Sequence, residues 1–297
     1  MPPSALALLL VAAVLHAGWN LLVKSAAEKQ IFTWLAWVVG SVCYTPLLAI
    51  TPALPRAAWP YVLAAGLAQA AYTLTLTRAY RIGDFSLVYP LSRGTAPALL
   101  ALWAALFLGE RPSPAGLLGL SLLLLGLLVV GGAFGRRPAD PSRQVGLRPA
   151  PAPARLSGSA AIAALGVALC ISVYSAIDGA AVQIAAPITY TVFEFIAATL
   201  LVTPLMLRRY RRDAIAREWR ANWRRIVVVG LLMVLTYGMV LLAYSRGHVS
   251  YAGAIREVSV VFAAVIGWRW LGEGFGRARV AGALLIFAGI LAIALAG

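Results

Sequence analysis

This sequence predicts an all-α integral membrane protein of ten transmembrane helices, arranged as two inverted five-helix repeats. Three observations predict it. Of 297 residues, 62% are apolar and 12% are charged, against roughly 45–50% and about 25% in a soluble domain, so there are too few charges to wet a globular surface. Apolar runs recur along the chain, each close to the roughly 20 residues that cross a bilayer. Short motifs also return in the same order in the two halves of the chain. The composition excludes a secreted, a disordered or a soluble-enzyme fold.

The predicted spans lie near 4–23, 31–51, 58–77, 86–108, 113–133, 158–178, 187–207, 224–244, 249–271 and 279–296. The first has no basic stretch before it and no small-residue cleavage site leading into a polar chain, so it reads as a retained span and not a signal peptide. Residues 134–157 interrupt the pattern with Pro, Ala and Arg, the composition of a flexible connector. Three units follow: a first five-helix repeat at 1–133, a cytoplasmic connector at 134–157, and a second five-helix repeat at 158–297.

The matches between the halves are specific. Gly119 and Gly126 share their spacing with Gly282 and Gly289, and Leu108-Gly-Glu110 returns as Leu271-Gly-Glu273. At the same offset Arg93 pairs with Arg256. Upstream, Ala79-Tyr80 and Gly83 pair with Ala243-Tyr244 and Gly247, and Thr45-Pro-Leu-Leu48 with Thr203-Pro-Leu-Met206. Five spans is an odd number, so the second copy enters the membrane from the opposite side. Inverted pairs of this kind are a transporter architecture, with a site near the midplane between the copies.

The formal net charge is +15. Counted by alternate loops, twenty of the 25 Lys and Arg residues fall on one side, among them Lys24, Lys29, Arg78, Arg81 and Arg277. Arg56, Arg111 and Arg246 fall on the other. The bias places the first set in the cytoplasm of an inner-membrane, multi-pass protein with both termini outside. It also accounts for the charge without nucleic acid. The basic stretch Arg208–Arg225 reads either as a helix on the inner leaflet, with Trp219 and Trp223 at headgroup depth, or as a solvated loop. Cys43 and Cys170 both fall inside spans, which argues against a disulfide, and no clustered ligands predict a metal or cofactor.

Polar groups at bilayer depth are the candidate site. His16, Trp19 and Asn20 share one helical face in the first span, and Tyr174-Ser175 holds the related place in the second half. Gln69, Thr73 and Tyr80 follow helical spacing in the third span, with Tyr72 beside them; their counterparts include Tyr237 and Tyr244. These faces read as walls of one cavity or as interior packing. Arg93 and Arg256 either bind a carboxylate or phosphate group or form structural ion pairs. Glu257 follows Arg256 directly, so its partner is expected on another helix. Glu194, in Tyr190-Thr-Val-Phe-Glu-Phe195, is placed to carry a proton or meet an ammonium group. Asp178 lies nearer a span end and is a second coupling candidate, with Glu257 a third.

The run Val88-Tyr89-Pro-Leu-Ser-Arg93-Gly-Thr-Ala-Pro97, leading into Leu106-Phe-Leu-Gly-Glu-Arg111, resembles the EamA branch of the drug/metabolite transporter superfamily. The second copy, Ala254-Ile-Arg-Glu-Val258 into Trp270-Leu-Gly-Glu273, follows the pattern without its prolines. The resemblance covers nearly the whole chain. It implies a ten-helix bundle with a central cavity, alternating access, and a secondary carrier for a small polar metabolite (an amino acid or related amine), with export favoured. Proton or exchanged-solute coupling is consistent with the buried acids. The alternatives are a flippase for a lipid-linked headgroup and an integral-membrane transferase. The latter usually needs clustered acids or a His/acid pair, whereas the acids here are scattered and His16 is far from His248 in the chain. No Gly-x4-Gly-Lys-Ser/Thr sequence is present for ATP hydrolysis.

Overall fold

Proline opens three of the helices, at Pro3, Pro114 and Pro187. A computed structural model describes residues 1–24, 26–82, 85–130, 158–259, 261–262 and 277–296. Among the described residues the helices are α1 (Pro3–Lys24), α2 (Lys29–Tyr44), α3 (Trp59–Ile82), α4 (Phe85–Phe107), α5 (Pro114–Val130), α6 (Gly158–Ala181), α7 (Pro187–Arg209), α8 (Arg212–Tyr244), α9 (Val249–Arg256) and α10 (Arg277–Ala296). The connector at 134–157 and the second Leu-Gly-Glu at 271–273 lie outside the described residues, as do the side chains of Tyr80 and Tyr89.

Two boundaries differ from the sequence reading. The span at 31–51 divides into α2 and a 3-10 turn, Thr45–Ala49, because Pro46 has no N–H to continue the α-helical ladder. The basic stretch Arg208–Arg225 is neither a free loop nor a separate helix. The chain is extended at Tyr210 and Arg211, and Arg212 then opens α8, a continuous helix of 33 residues. At 1.5 Å per residue it is about 50 Å long, well beyond a hydrocarbon core of about 30 Å. Its first turns are anchored where Tyr210, Ala214 and Ile215 pack against Ile31, Trp34, Val202 and Met206. Trp219 and Trp223 remain on the outside.

Small residues bring helices into backbone contact, as they do in membrane bundles. A Cβ on Gly119 would lie 2.8 Å from the carbonyl oxygen of Gly289, and one on Gly126 would lie 2.6 Å from that of Gly282. As numbering rises along α5 it falls along the facing α10, so this pair is antiparallel. Helix α2 meets α8 where Gly40 faces Gly230, and α3 meets α7 where Gly66 faces Ala197 and Ala198. Large apolar side chains such as Ile50, Phe107, Leu200, Leu284, Phe287 and Leu295 point outward, a surface suited to lipid. Among the described residues, five helices are long and apolar enough to cross a membrane: Pro3–Val23, Lys29–Ala49 (with its 3-10 turn), Gly158–Ala181, Pro187–Arg209 and Arg212–Tyr244. Shorter apolar helices run at Leu91–Phe107, Pro114–Val129 and Val280–Leu295.

Candidate functional site

Polar residues from α1, α3, α4, α6, α7, α8 and α9 meet inside the bundle. Arg93 of α4 directs Nη1 at both carboxylate oxygens of Glu257, at 3.2 Å each. Arg256 directs Nη2 at Glu257 Oε1, 3.3 Å away, and at Ser175 Oγ of α6, 3.5 Å away. The expected partner for Glu257 on another helix is therefore Arg93. Arg256 also folds back on its neighbour, because its long side chain spans what the backbone spacing would not. His16 of α1 lies within electrostatic range of both arginines.

A second group lies beside this one. Asp178 is fully buried. It accepts hydrogen bonds from Tyr190 Oη of α7, at 2.7 Å, and from Tyr237 Oη of α8. A carboxyl group in an apolar interior needs such donors. Glu194 of α7 is buried too. Its Oε1 accepts a 2.8 Å bond from Gln69 Nε2 of α3, and its Oε2 has no partner among the described residues. The indole Nε1 of Trp19 is a second buried atom in that condition. A buried polar atom left unmatched costs about 1–3 kcal/mol.

Aromatic rings connect these groups. Tyr72 meets Tyr174 edge to face at 6.1 Å between centroids, Tyr174 meets Tyr237 at 6.5 Å, Tyr237 meets Phe195 at 5.9 Å and Phe195 meets Trp37 at 6.4 Å. His16 and Trp19 stack edge to face at 4.5 Å. Asn20 turns its amide onto the His16 carbonyl, 2.8 Å away, and Thr73 Oγ1 bonds the Gln69 carbonyl. Both thus engage their own helix. Tyr244 is fully buried nearby.

The expected chamber is nearly closed. Ala96, Pro97, Leu100, Ile171, Ser175, Gly253, Arg256 and Glu257 are among the residues around a gap of about 160 Å³. Small-molecule sites are typically about 300–1,000 Å³, so a metabolite enters only if helices separate.

Glu110 was visible in the sequence as a repeat mark but not as a working residue. Gly109 ends α4 with φ +68°, the left-handed conformation glycine adopts freely. The Glu110 N–H then bonds Ala104 O at 3.1 Å, six residues back. This ending sends the Glu110 side chain to the start of α9. The repetition of Leu-Gly-Glu was the signal that could have found it.

The signature of the EamA-like transporter family matches residues 3–132 and again residues 158–295. The chain is 26% identical, over 98% of its length and 95% of theirs, to proteins described as the pseudopaline exporter CntI from two strains of Pseudomonas aeruginosa. A protein of known crystal structure superposes over the whole of both chains with a TM-score of 0.74 at 20% identity, a likeness of fold.

Proposed function

The chain belongs to the EamA-like transporter family, and on that premise we propose that it is a secondary carrier exporting a small polar metabolite, an amino acid or related amine, across the inner membrane by alternating access. The observation that carries this reading is the charged centre to which both halves contribute, where matched arginines Arg93 and Arg256 converge on Glu257. Structural ion pairing alone would not explain why further buried polar atoms, Trp19 Nε1 and Glu194 Oε2 among them, stand unmatched among the described residues. A substrate offering an acceptor to Trp19 and a donor to Glu194 satisfies both.

On this reading ten crossings form two inverted five-helix repeats at 1–133 and 158–297, joined by the cytoplasmic connector at 134–157. The separate family matches on either side of the connector and the antiparallel α5–α10 pair support the arrangement. His16, Trp19, Arg93, Tyr174, Ser175, Tyr237 and Arg256 line the substrate path. Gln69, Tyr72, Tyr190 and Tyr244 support it, and Tyr80 and Tyr89 are further candidates for substrate binding. Asn20 and Thr73 shape their helices. Asp178, Glu194 and Glu257 couple substrate movement to a proton or an exchanged solute.

Purified protein reconstituted in liposomes should move a labelled amino acid or amine saturably. Trp19→Ala and Arg256→Gln should each lower uptake at least about tenfold, the scale of a lost hydrogen bond to a charged or buried partner, while the protein still folds. A panel of amino acids and amines moved no faster than through empty liposomes would overturn the reading. Glu194→Gln keeps an acceptor for Gln69 but cannot carry a proton, so it should flatten the pH profile of transport. An unchanged profile removes Glu194 from the coupling.

A further inference from the structure

We propose that Glu110 is a latch between the two halves, closed here and broken each time the carrier opens at the end of the bundle where the chain begins. This rests on the carrier reading above and assigns a residue outside the charged centre. One carboxylate makes all the contacts. Glu110 Oε1 accepts from the Val249 N–H, Oε2 accepts from the Ser250 N–H and hydroxyl, and His248 Nδ1 lies 3.6 Å from Oε2. Glu110 belongs to the α4–α5 loop, in the first half; its partners open α9, in the second. The end is fixed by Met1, whose side chain lies beside Gly247.

The contact has the properties of a latch and not of a permanent weld. The first N–H groups of a helix have no partner within it, and a carboxylate is the strongest cap for that positive end. The site also lies near the surface. Glu110 is 9% exposed and His248 is 42% exposed, whereas the donors on Val249 and Ser250 are 1% and 0% exposed, so water reaches those donors only as α9 moves away from the carboxylate. Tight apolar contact adds to the closure here, with Val249 and Leu108 pressed against Gly179 of α6, and Thr189 Oγ1 of α7 donates to the Pro52 carbonyl at 2.9 Å. Ser250 and Arg256 are six residues apart on α9, about 9 Å along its axis. The element that Glu110 holds thus carries the charged centre at its other end, and releasing α9 moves both.

The test uses two buried reporters in full-length protein in nanodiscs, with Cys43 and Cys170 replaced by serine. Ala252→Cys reports the latch end; Ala164→Cys, near the start of α6, reports the opposite end, and both positions are fully buried. Maleimide labelling at 252 should be at least about tenfold faster with Glu110→Gln, the factor expected from weakening hydrogen bonds to a charged group. Ser250→Ala, which removes one bond and leaves the backbone cap, should give a smaller rise. Labelling at 164 should stay unchanged or slow. Equal rates at 252 with and without Glu110→Gln would overturn the latch, and so would faster labelling at both positions, which marks general loosening. Either result leaves the carrier reading standing, because that depends on solute movement by the unsubstituted protein in liposomes.

Discussion

Asp178 shows what single residues contribute to this interior. A carboxylate at 0% exposure is tolerated because two tyrosine hydroxyls from two other helices are aimed at it. Tyr237→Phe deletes one donor and nothing else of the ring packing. The protein should lose about 1–3 kcal/mol, read as a lower thermal midpoint in detergent, and Tyr190→Phe should behave similarly. If neither substitution moves the midpoint, the hydroxyls do not hold Asp178. From sequence, Glu194 and the two arginines could be singled out, because an ionisable residue in an apolar run is conspicuous by itself. Their partners could not. Gln69 and Glu194 are brought together by the packing of α3 on α7, and no local spacing encodes that. Asn20 is the complementary case: a short amide can satisfy itself on the carbonyl one turn back, as Asn20 does on His16.

Pairs of helices contain the regularity that single residues lack. The register that matches Gln69 to Met233 also matches Gly66 to Gly230, and the one that matches Thr45 to Thr203 matches Gly40 to Ala198. The structure puts Gly40 against Gly230 and Gly66 against Ala197 and Ala198, so the α2–α8 contact is repeated as α3–α7 with an alanine for one glycine. The α5–α10 contact is its own counterpart. Their Gly-x6-Gly spacing was legible as a repeat. That the two stretches touch each other was not, since a spacing says which face is flat and not what lies on it. At these crossings a side chain has no room. Gly126→Leu should cost about 1–3 kcal/mol or more by overpacking and lower the yield of folded protein. Gly166→Leu, where nothing lies within 4 Å, should leave yield and midpoint unchanged. Equal behaviour of the two variants would mean that the α5–α10 contact is not close.

The whole molecule joins charge placement to the parity of the crossings. On the ten proposed spans, Lys and Arg fall mostly in alternate loops, as they do where a cytoplasmic face retains them, and an even number of crossings puts both ends of the chain on one side. On the proposed arrangement, five crossings per copy would make each copy odd, which would invert the second, and two odd copies would make the whole even. Both ends should therefore report the outer side, and the connector between the copies the inner side. Alkaline phosphatase, active only outside, should work when fused at either end and fail when inserted near Val145; green fluorescent protein should show the reverse. If the two ends reported opposite faces, the number of crossings would be odd and the inverted duplication would fall, together with the shared charged centre that depends on it. If both ends reported the cytoplasm, the duplication would survive and only the direction of the charge bias would be wrong. The latch at Glu110 would then guard the inner mouth of the carrier instead of the outer one, with the same contacts and the same response to Glu110→Gln.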